Sequence, residues 1–328
     1  VTSLPRVVAV VGPTASGKSS LGVAIAQRLE QPVLVCDSVK IYRGLDIGSA
    51  KPTAAERAAV PHHLFDLVEP DATFSAGDYA RLASTQLAQT GGVFVGGTGF
   101  YLRAAGWTST GETGPEAAAG VGDPGFAQFD ARWRAAERDE PGVTHRALGA
   151  HDPRAAASVH PNNLVRVIRA LWLCERFGRP VSEVRREDPP RPRLRMMLLV
   201  LDPDPEELRS RIATRLDAML DAGWVDEVER LWRAGYDESH KSMRSLGYRQ
   251  LLDVVRGDCD LSQAREKILA ATWQYARRQR TYFRHQLPAE VVVHLRHPSD
   301  CPWDPIDAFI RDEREGSEAQ PSPSEDSR

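Results

Sequence analysis

Short uninterrupted apolar runs and amphipathic stretches alternate through the first hundred residues. Residues 7–11 read Val-Val-Ala-Val-Val, with no polar position on either side of a strand. Such a run predicts a strand buried on both faces. Residues 17–29 follow, with Leu21, Ala24, Ile25 and Leu29 at the spacing of one helix face. Residues 32–36, Pro-Val-Leu-Val-Cys, form a second buried run. Residues 75–90 have helical spacing, and residues 92–95, Gly-Val-Phe-Val, predict a third strand. This alternation predicts an α/β fold with a parallel sheet covered by helices on both faces. Ligands in such sheets lie beyond the carboxyl ends of the strands. The segments after residues 11, 36 and 95 are therefore expected to meet at one rim.

Beyond residue 105 the pattern changes. Residues 107–123 are rich in Gly, Ala, Thr and Glu and read as a linker or mobile segment. Helical spacing resumes at 126–138 and 162–177, and a Pro- and Arg-rich connector occupies 185–195. An apolar run at 196–201 predicts a return to the sheet. Helices are expected at 205–222, 225–234, 246–255 and 261–283, with a last short strand at 291–295. The predicted organisation is a core in two parts, residues 1–105 and 196–310, with a helical arm at 106–195 inserted between them. Residues 311–328, rich in Glu, Ser, Pro and Gln, are predicted to be a disordered acidic tail.

Composition narrows the function classes only slightly. With 42 Lys and Arg against 45 Asp and Glu, the formal net charge is −3, so any RNA-binding surface must come from local clustering. Cys36, Cys174, Cys259 and Cys301 form no C-x-x-C pair, which argues against a zinc site or a disulfide framework. Thiols in a reducing cytoplasm are expected. No apolar run approaches a membrane helix in length, and the first residues lack the apolar core of a signal peptide.

The chemistry concentrates after the strands. Gly12-Pro13-Thr14-Ala15-Ser16-Gly17-Lys18-Ser19 joins the first strand to the first helix and fits the phosphate loop G-x-x-x-x-G-K-[ST]. Its glycines let successive N–H groups converge, and the helix N-terminus adds its dipole. Lys18 supplies a full charge, and the Ser19 hydroxyl is suited to Mg²⁺. Asp37 ends the second strand and has three readings: a water-mediated Mg²⁺ partner, a general base, or a cap. After the third strand, Gly96-Gly97-Thr98-Gly99 permits close backbone approach, and Thr98 offers a hydroxyl to a phosphate oxygen. Residues 42–52, with Arg43 and Lys51, read as a solvated loop. His62 and His63 lack the further ligands a metal site needs. Arg166 and Arg169 share a helix face. Arg277, Arg278, Arg280 and Arg284 are interleaved with Tyr282 and Phe283, a mix that suits RNA backbone and base stacking but also a plain solvated face.

Taken in order, these pieces resemble the tRNA dimethylallyltransferase family over about residues 6 to 285. The shared stretches are the phosphate loop, Asp37-Ser38, Ile41 through Pro52, Pro61-His62-His63-Leu64, and Gly96 through Leu102. His160-Pro161-Asn162, Arg244 with Leu246-Gly247-Tyr248-Arg249-Gln250, and Ala276-Arg277-Arg278-Gln279 complete the set. The resemblance implies a P-loop NTPase-like fold with an inserted arm. It implies transfer of a dimethylallyl group from dimethylallyl diphosphate to the exocyclic amine of the adenosine 3′-adjacent to the anticodon in tRNA. Asp37 is then the base, Thr98 a partner of the leaving diphosphate, and Arg244 its second positive clamp. Ser38, Lys40, Tyr42, Asn162, Arg166, Gly247, Tyr248, Arg249, Arg278 and Gln279 would face the acceptor or the anticodon stem-loop. Mg²⁺ at Ser19 and a monomeric state are expected. The chain departs from the pattern at residues 107–111, at Asn163 where an Asp is usual, and at Arg277 where a Lys is usual. These departures keep two alternatives open: a free adenine nucleotide or other small amine as acceptor, or an ATP-dependent kinase.

Overall fold

The computed structural model describes residues 4–108 and 124–311. The acidic tail and all but the first residues of the Gly-rich stretch lie outside them. In chain order the first elements are β1 (Arg6–Val11), α1 (Lys18–Arg28), β2 (Val33–Cys36), α2 (Ala54–Ala59), β3 (His62–His63), α3 (Ala76–Thr90), β4 (Val93–Gly96) and α4 (Gly99–Gly106). Then come α5 (Pro124–Asp139), α6 (Val143–His151), α7 (Pro153–Ser158), α8 (Leu164–Phe177) and α9 (Val181–Glu187). The chain continues through β5 (Arg195–Leu201), α10 (Pro205–Asp221), α11 (Trp224–Arg233), α12 (Tyr248–Arg256), α13 (Leu261–His285), β6 (Val291–Leu295) and α14 (Trp303–Arg311).

All six strands run parallel in the order β3-β2-β4-β1-β5-β6. The continuous apolar runs account for this. Val7 to Val11 and Met196 to Leu201 are buried throughout, as strands sandwiched between helix layers must be. Register then fixes the rim. Val11 pairs with Gly96 and Val200, and Cys36 also pairs with Gly96, so the loops after β1, β2 and β4 leave the sheet together.

Two compact units result. The sheet unit runs to Thr73, resumes over Ala83–Leu102 and again from Leu194; the other takes Phe74–Leu82 and Arg103–Arg193. The second unit has its own core, in which Phe129, Leu148, Val167, Ile168, Leu171 and Val181 pack together. Its buried Asp152 accepts from the Ala155 N–H (2.9 Å), the Ser182 hydroxyl (2.8 Å) and the Ser182 N–H (2.7 Å), joining α7 to α9. Its entry and exit passages pair: Arg193 N–H donates to the Gly106 carbonyl (2.8 Å) and Thr108 N–H to that of Arg191 (2.9 Å). Helix α9 takes the first residues of the predicted connector, because Val181 and Val184 share a buried face. Asn163, for all its departure from the family pattern, caps α8 by accepting from the Arg166 N–H at 3.3 Å, a task Asn and Asp do equally well.

Residues 42–52 are not the solvated loop that their composition suggests. Tyr42 and Leu45 are buried, and a carboxylate holds the backbone. Glu227 on α11 is 1% exposed. Its Oε2 accepts from the N–H groups of Asp46 (2.9 Å) and Ile47 (2.7 Å), and its Oε1 accepts from the Gly48 N–H (3.2 Å) and the Tyr248 hydroxyl (2.8 Å). Burial, and then Glu227 itself, push the Tyr248 phenol well above its ordinary pKa. Lys51 adds a second anchor through the Tyr42 carbonyl (2.7 Å), Asp46 and Asp66. Four donors thus depend on one buried carboxylate. Glu227→Ala should lower unfolding free energy by about 3–5 kcal/mol, since it strands them away from water, whereas Tyr248→Phe should cost only about 1 kcal/mol; urea unfolding of both variants measures the difference.

Candidate active site

The rim where the three loops converge encloses a cavity of about 420 Å³ within the sheet unit. The phosphate loop forms one end of it. Gly17, at φ 90°, turns the chain into α1 in the left-handed region that favours glycine, and Ala15 is held at φ 62° beside it. Thr14, Ala15, Lys18 and Ser19 line the cavity. The other loop residues shape it instead. Pro13 offers its carbonyl to Lys18 Nζ (3.0 Å), and the Ser16 hydroxyl is buried inside the turn.

Gln279 on α13 ties the loop in place. Its Oε1 accepts from the Thr14 N–H (3.0 Å) while its Nε2 donates to the Gly97 carbonyl (2.9 Å). The residue is buried and also lines the cavity, and it joins the two loops there. A Cβ on Gly97 would lie 2.3 Å from that Nε2, so the Gly-Gly sequence is needed for this close approach.

Asp37 stands at the end of β2. Its Oδ1 accepts from the N–H groups of Val39 (2.9 Å) and Lys40 (3.3 Å), closing a turn; the next helix, α2, starts only at Ala54, so Asp37 caps no helix. Among the described residues Oδ2 receives no hydrogen bond, and the residue lines the cavity. Thr98 takes a different place from the one its motif suggests. Its Oγ1 accepts from the Ser38 N–H at 3.0 Å and lies 3.4 Å from the Ser38 hydroxyl. Thr98 does not line the cavity; it pins the segment that carries Asp37.

The second positive clamp is likewise not where the resemblance puts it. Arg244 is exposed, lies outside the cavity lining, and has its charge near the Tyr42 phenol. Two guanidinium groups line the cavity, that of Arg215 on α10 and that of the exposed Arg278 on α13. Burial pushes Arg215 below its ordinary pKa, with Asp37 opposing. Lys40 is also lowered by burial, again with Asp37 opposing. Lys18 is lowered to about 7, first by burial and then by the charges of Arg215 and Lys40. A displacement of that size corresponds to on the order of 5 kcal/mol against charging the amine. Among the described residues, none of these three cations closes an ion pair with a carboxylate.

Sequence reasoning missed Arg215, although a signal existed. Ile212, Leu216 and Met219 form an apolar stripe at helical spacing, and Arg215 interrupts it. A charge inside such a stripe needs a partner or a ligand. Tyr275, which also lines the cavity, was missed as well. The remaining predicted contacts divide. Ser38, Lys40 and Arg278 line the cavity; Tyr42 and Tyr248 are buried; Gly247 sits beneath α12, with its N–H donating to Gln250 Oε1 at 2.9 Å; and Arg249 is exposed. Asn162 and Arg166 are exposed in the other unit. Arg280 and Arg284 are held by Asp202 and are not free for RNA. Among the described residues no group of three or more His, Cys, Asp or Glu could hold a metal, and His62 Nδ1 donates to the Val60 carbonyl instead (2.8 Å). The Ser19 hydroxyl in the cavity lining fits a Mg²⁺ that takes the rest of its shell from phosphate oxygens and water.

Apolar side chains line the same cavity, among them Val33, Val35, Ile212, Leu216, Met219 and Trp224. A phosphate cradle, a half-free carboxylate and a greasy wall thus share one enclosure.

Comparison with known proteins agrees with this combination. A family model described as IPP transferase matches residues 40–286, and one described as isopentenyl transferase matches residues 5–64. A tRNA dimethylallyltransferase of Streptomyces coelicolor is 40% identical over 85% of this chain and 88% of its own length, and one of Roseiflexus is 42% identical over 84% and 89%. The crystal structure of a tRNA isopentenylpyrophosphate transferase from Bacillus halodurans is 31% identical, covers 93% of this chain and 94% of its own, and superposes with a TM-score of 0.61. A eukaryotic dimethylallyltransferase acting on tRNA, 22% identical, shares the fold with a TM-score of 0.78 over 97% of this chain and 82% of its own. With three quarters of its length inside the family model and relatives near 40% identity across most of the chain, it belongs to the IPP transferase family.

Proposed function

We propose that this protein is a prenyltransferase that moves a dimethylallyl group from dimethylallyl diphosphate to the exocyclic amine of the adenosine 3′-adjacent to the anticodon in tRNA. The observation that carries the reading is the pairing of a diphosphate cradle with an apolar wall around a carboxylate. An ATP-dependent kinase needs the cradle but has no use for a wall of Ile212, Leu216 and Met219.

The reaction breaks the allylic C1–O bond and forms a C1–N bond; the amine proton goes to Asp37 Oδ2, and diphosphate leaves. Lys18, Arg215 and the first-turn N–H groups of α1 face the charge that develops on the departing oxygens, where preorganised donors act most strongly. Asp37 offsets the weak nucleophilicity of an aromatic amine by accepting its proton as the new bond forms. Its position is fixed by the hydrogen bonds to Oδ1 and by Thr98 on Ser38. Mg²⁺ held by Ser19 and the diphosphate would neutralise part of the leaving charge. The exposed Asn162, Arg166, Arg249 and Arg278 are candidates for RNA contact.

Labelled dimethylallyl diphosphate incubated with bulk tRNA should label the RNA; label on free adenine nucleotide with tRNA left unlabelled would reject this acceptor. Arg215→Ala should lower kcat/KM by about 10²–10³-fold, as loss of a leaving-group donor does, whereas Arg244→Ala should cost less than about tenfold as an exposed charge; steady-state kinetics decides between them. Asp37→Asn should lower kcat by about 10²–10⁴-fold while leaving diphosphate affinity nearly unchanged.

Lys18 sets the pH dependence of binding. It titrates near 7 in the ligand-free protein, and a bound diphosphate favours its charged form. Above pH 7 binding therefore takes up a proton, and affinity falls as pH rises, by up to about tenfold per unit. Calorimetry at pH 8 in two buffers of different ionisation heat should show uptake of nearly one proton, and Lys18→Met should abolish it.

A further inference from the structure

The apolar end of the cavity has a direction. Helix α10 presents Ile212, Arg215, Leu216 and Met219 to it. Ile212 belongs to the cluster that Ala15 of the phosphate loop packs against, so that end of α10 lies at the diphosphate. Arg215 comes next, within electrostatic reach of Lys18 and Asp37. Met219 is one turn further from the loop, about 6 Å along the axis. Beyond it the chain turns into α11, whose first residue, Trp224, also lines the cavity.

Trp224 cannot yield. It is 2% exposed and lies between two bare stretches of backbone. A Cβ on Gly48 would sit 2.0 Å from its Nε1, and a Cβ on Gly247 would sit 2.0 Å from its Cη2. The Tyr248 ring packs edge-on at 5.6 Å, and its hydroxyl is fixed by Glu227, the carboxylate that also holds the Gly48 backbone. The indole Nε1 has no hydrogen-bond partner among the described residues. A hydrogen-bonding donor is thus left unused so that the ring can fill this position, which points to shape as its contribution.

We propose that Trp224 is the end wall of the prenyl subsite, with Met219 beside it, and that together they restrict the donor to a five-carbon chain. This rests on the prenyl-transfer reading above. From its bridging oxygen to its terminal methyls a dimethylallyl group spans about 5 Å, from bond lengths near 1.5 Å, and this matches the one turn between Arg215 and Met219. Geranyl diphosphate, with one more isoprene unit, needs about as much again and meets the indole. A packed interior does not open for an extra five carbons, because Gly48 and Gly247 leave the ring no room to move. The competing occupant of this end is the acceptor adenine, which needs hydrogen-bonding partners at its edge; Met219 and Leu246 offer none, and the one N–H of Trp224 lies against the Gly48 backbone.

The test compares dimethylallyl and geranyl diphosphates in the intact protein, both as substrates with tRNA and as ligands by calorimetry without it. Trp224→Leu and Met219→Ala should each raise the geranyl-to-dimethylallyl ratio of kcat/KM at least tenfold, with the same trend in the affinities. Should Trp224→Leu fail to fold by circular dichroism, the ratio in Met219→Ala decides alone. An unchanged ratio in the folded variants overturns the proposal, as does a ratio that stays fixed while discrimination among adenosine analogues in the acceptor shifts, which would assign this end to the base. Wild-type protein that binds dimethylallyl diphosphate but labels no tRNA breaks the acceptor reading alone, and the affinity ratio still tests the wall.

Discussion

Four cations, Lys18, Lys40, Arg215 and Arg278, and two carboxylates, Asp37 and Glu56, line the cavity at the rim of this sheet, and the positive excess governs the site. Lys18, Lys40 and Arg215 repel one another in a place where burial already disfavours charge, and Asp37 answers only part of it. In a purely structural core such a cluster would be replaced by apolar residues, since unpaired buried charge is costly. Here it persists beside a loop built for anions. The ligand that relieves it must bring several negative charges close together, and a diphosphate does. The same excess then favours the reaction, because it strengthens as charge gathers on the departing oxygens.

Holding such a cluster together takes scaffolding that contributes no chemistry of its own. Gln279 links the phosphate loop to the turn after β4, and Thr98 links that turn to the segment carrying Asp37. Glu227 gathers the backbone of residues 46–48 and the Tyr248 hydroxyl around one buried carboxylate. These ties explain why several motif residues turn out to be buried and fully engaged. A motif records which positions must not change; it does not say whether the reason is contact with a ligand or support of a neighbour that makes the contact.

The sheet was largely legible from the sequence, because unbroken apolar runs such as residues 7–11 and 196–201 have one good solution when helices alternate with them. The phosphate loop was legible for the same kind of reason, since its spacing is set by backbone geometry. The two-residue β3 was not, as His62 and His63 carry no apolar signal and pair only through their backbone. Nor was the anchored state of residues 42–52, which depends on Glu227 nearly two hundred positions away. Arg215 was hidden by its helix. Its neighbours Ile212, Leu216 and Met219 read as ordinary core, and only the folded chain shows that this stripe faces Asp37. Local pattern reports backbone form well and long-range pairing poorly.

The paired passages at Gly106–Arg193 and Thr108–Arg191 have a further consequence. They close the inserted unit at its base, and its core of Phe129, Leu148 and Ile168 draws on no residue of the sheet. Such a module can accumulate sequence change at its own pace while the chemistry stays put. Two of the three places where this chain leaves the family's pattern, residues 107–111 and Asn163, fall within that module's span, whereas the third, Arg277, and the rim residues Lys18, Asp37 and Arg215 belong to the sheet unit. An appendage free to diversify on a fixed reaction centre is one way for a single ancestral chemistry to follow a changing set of nucleic-acid partners.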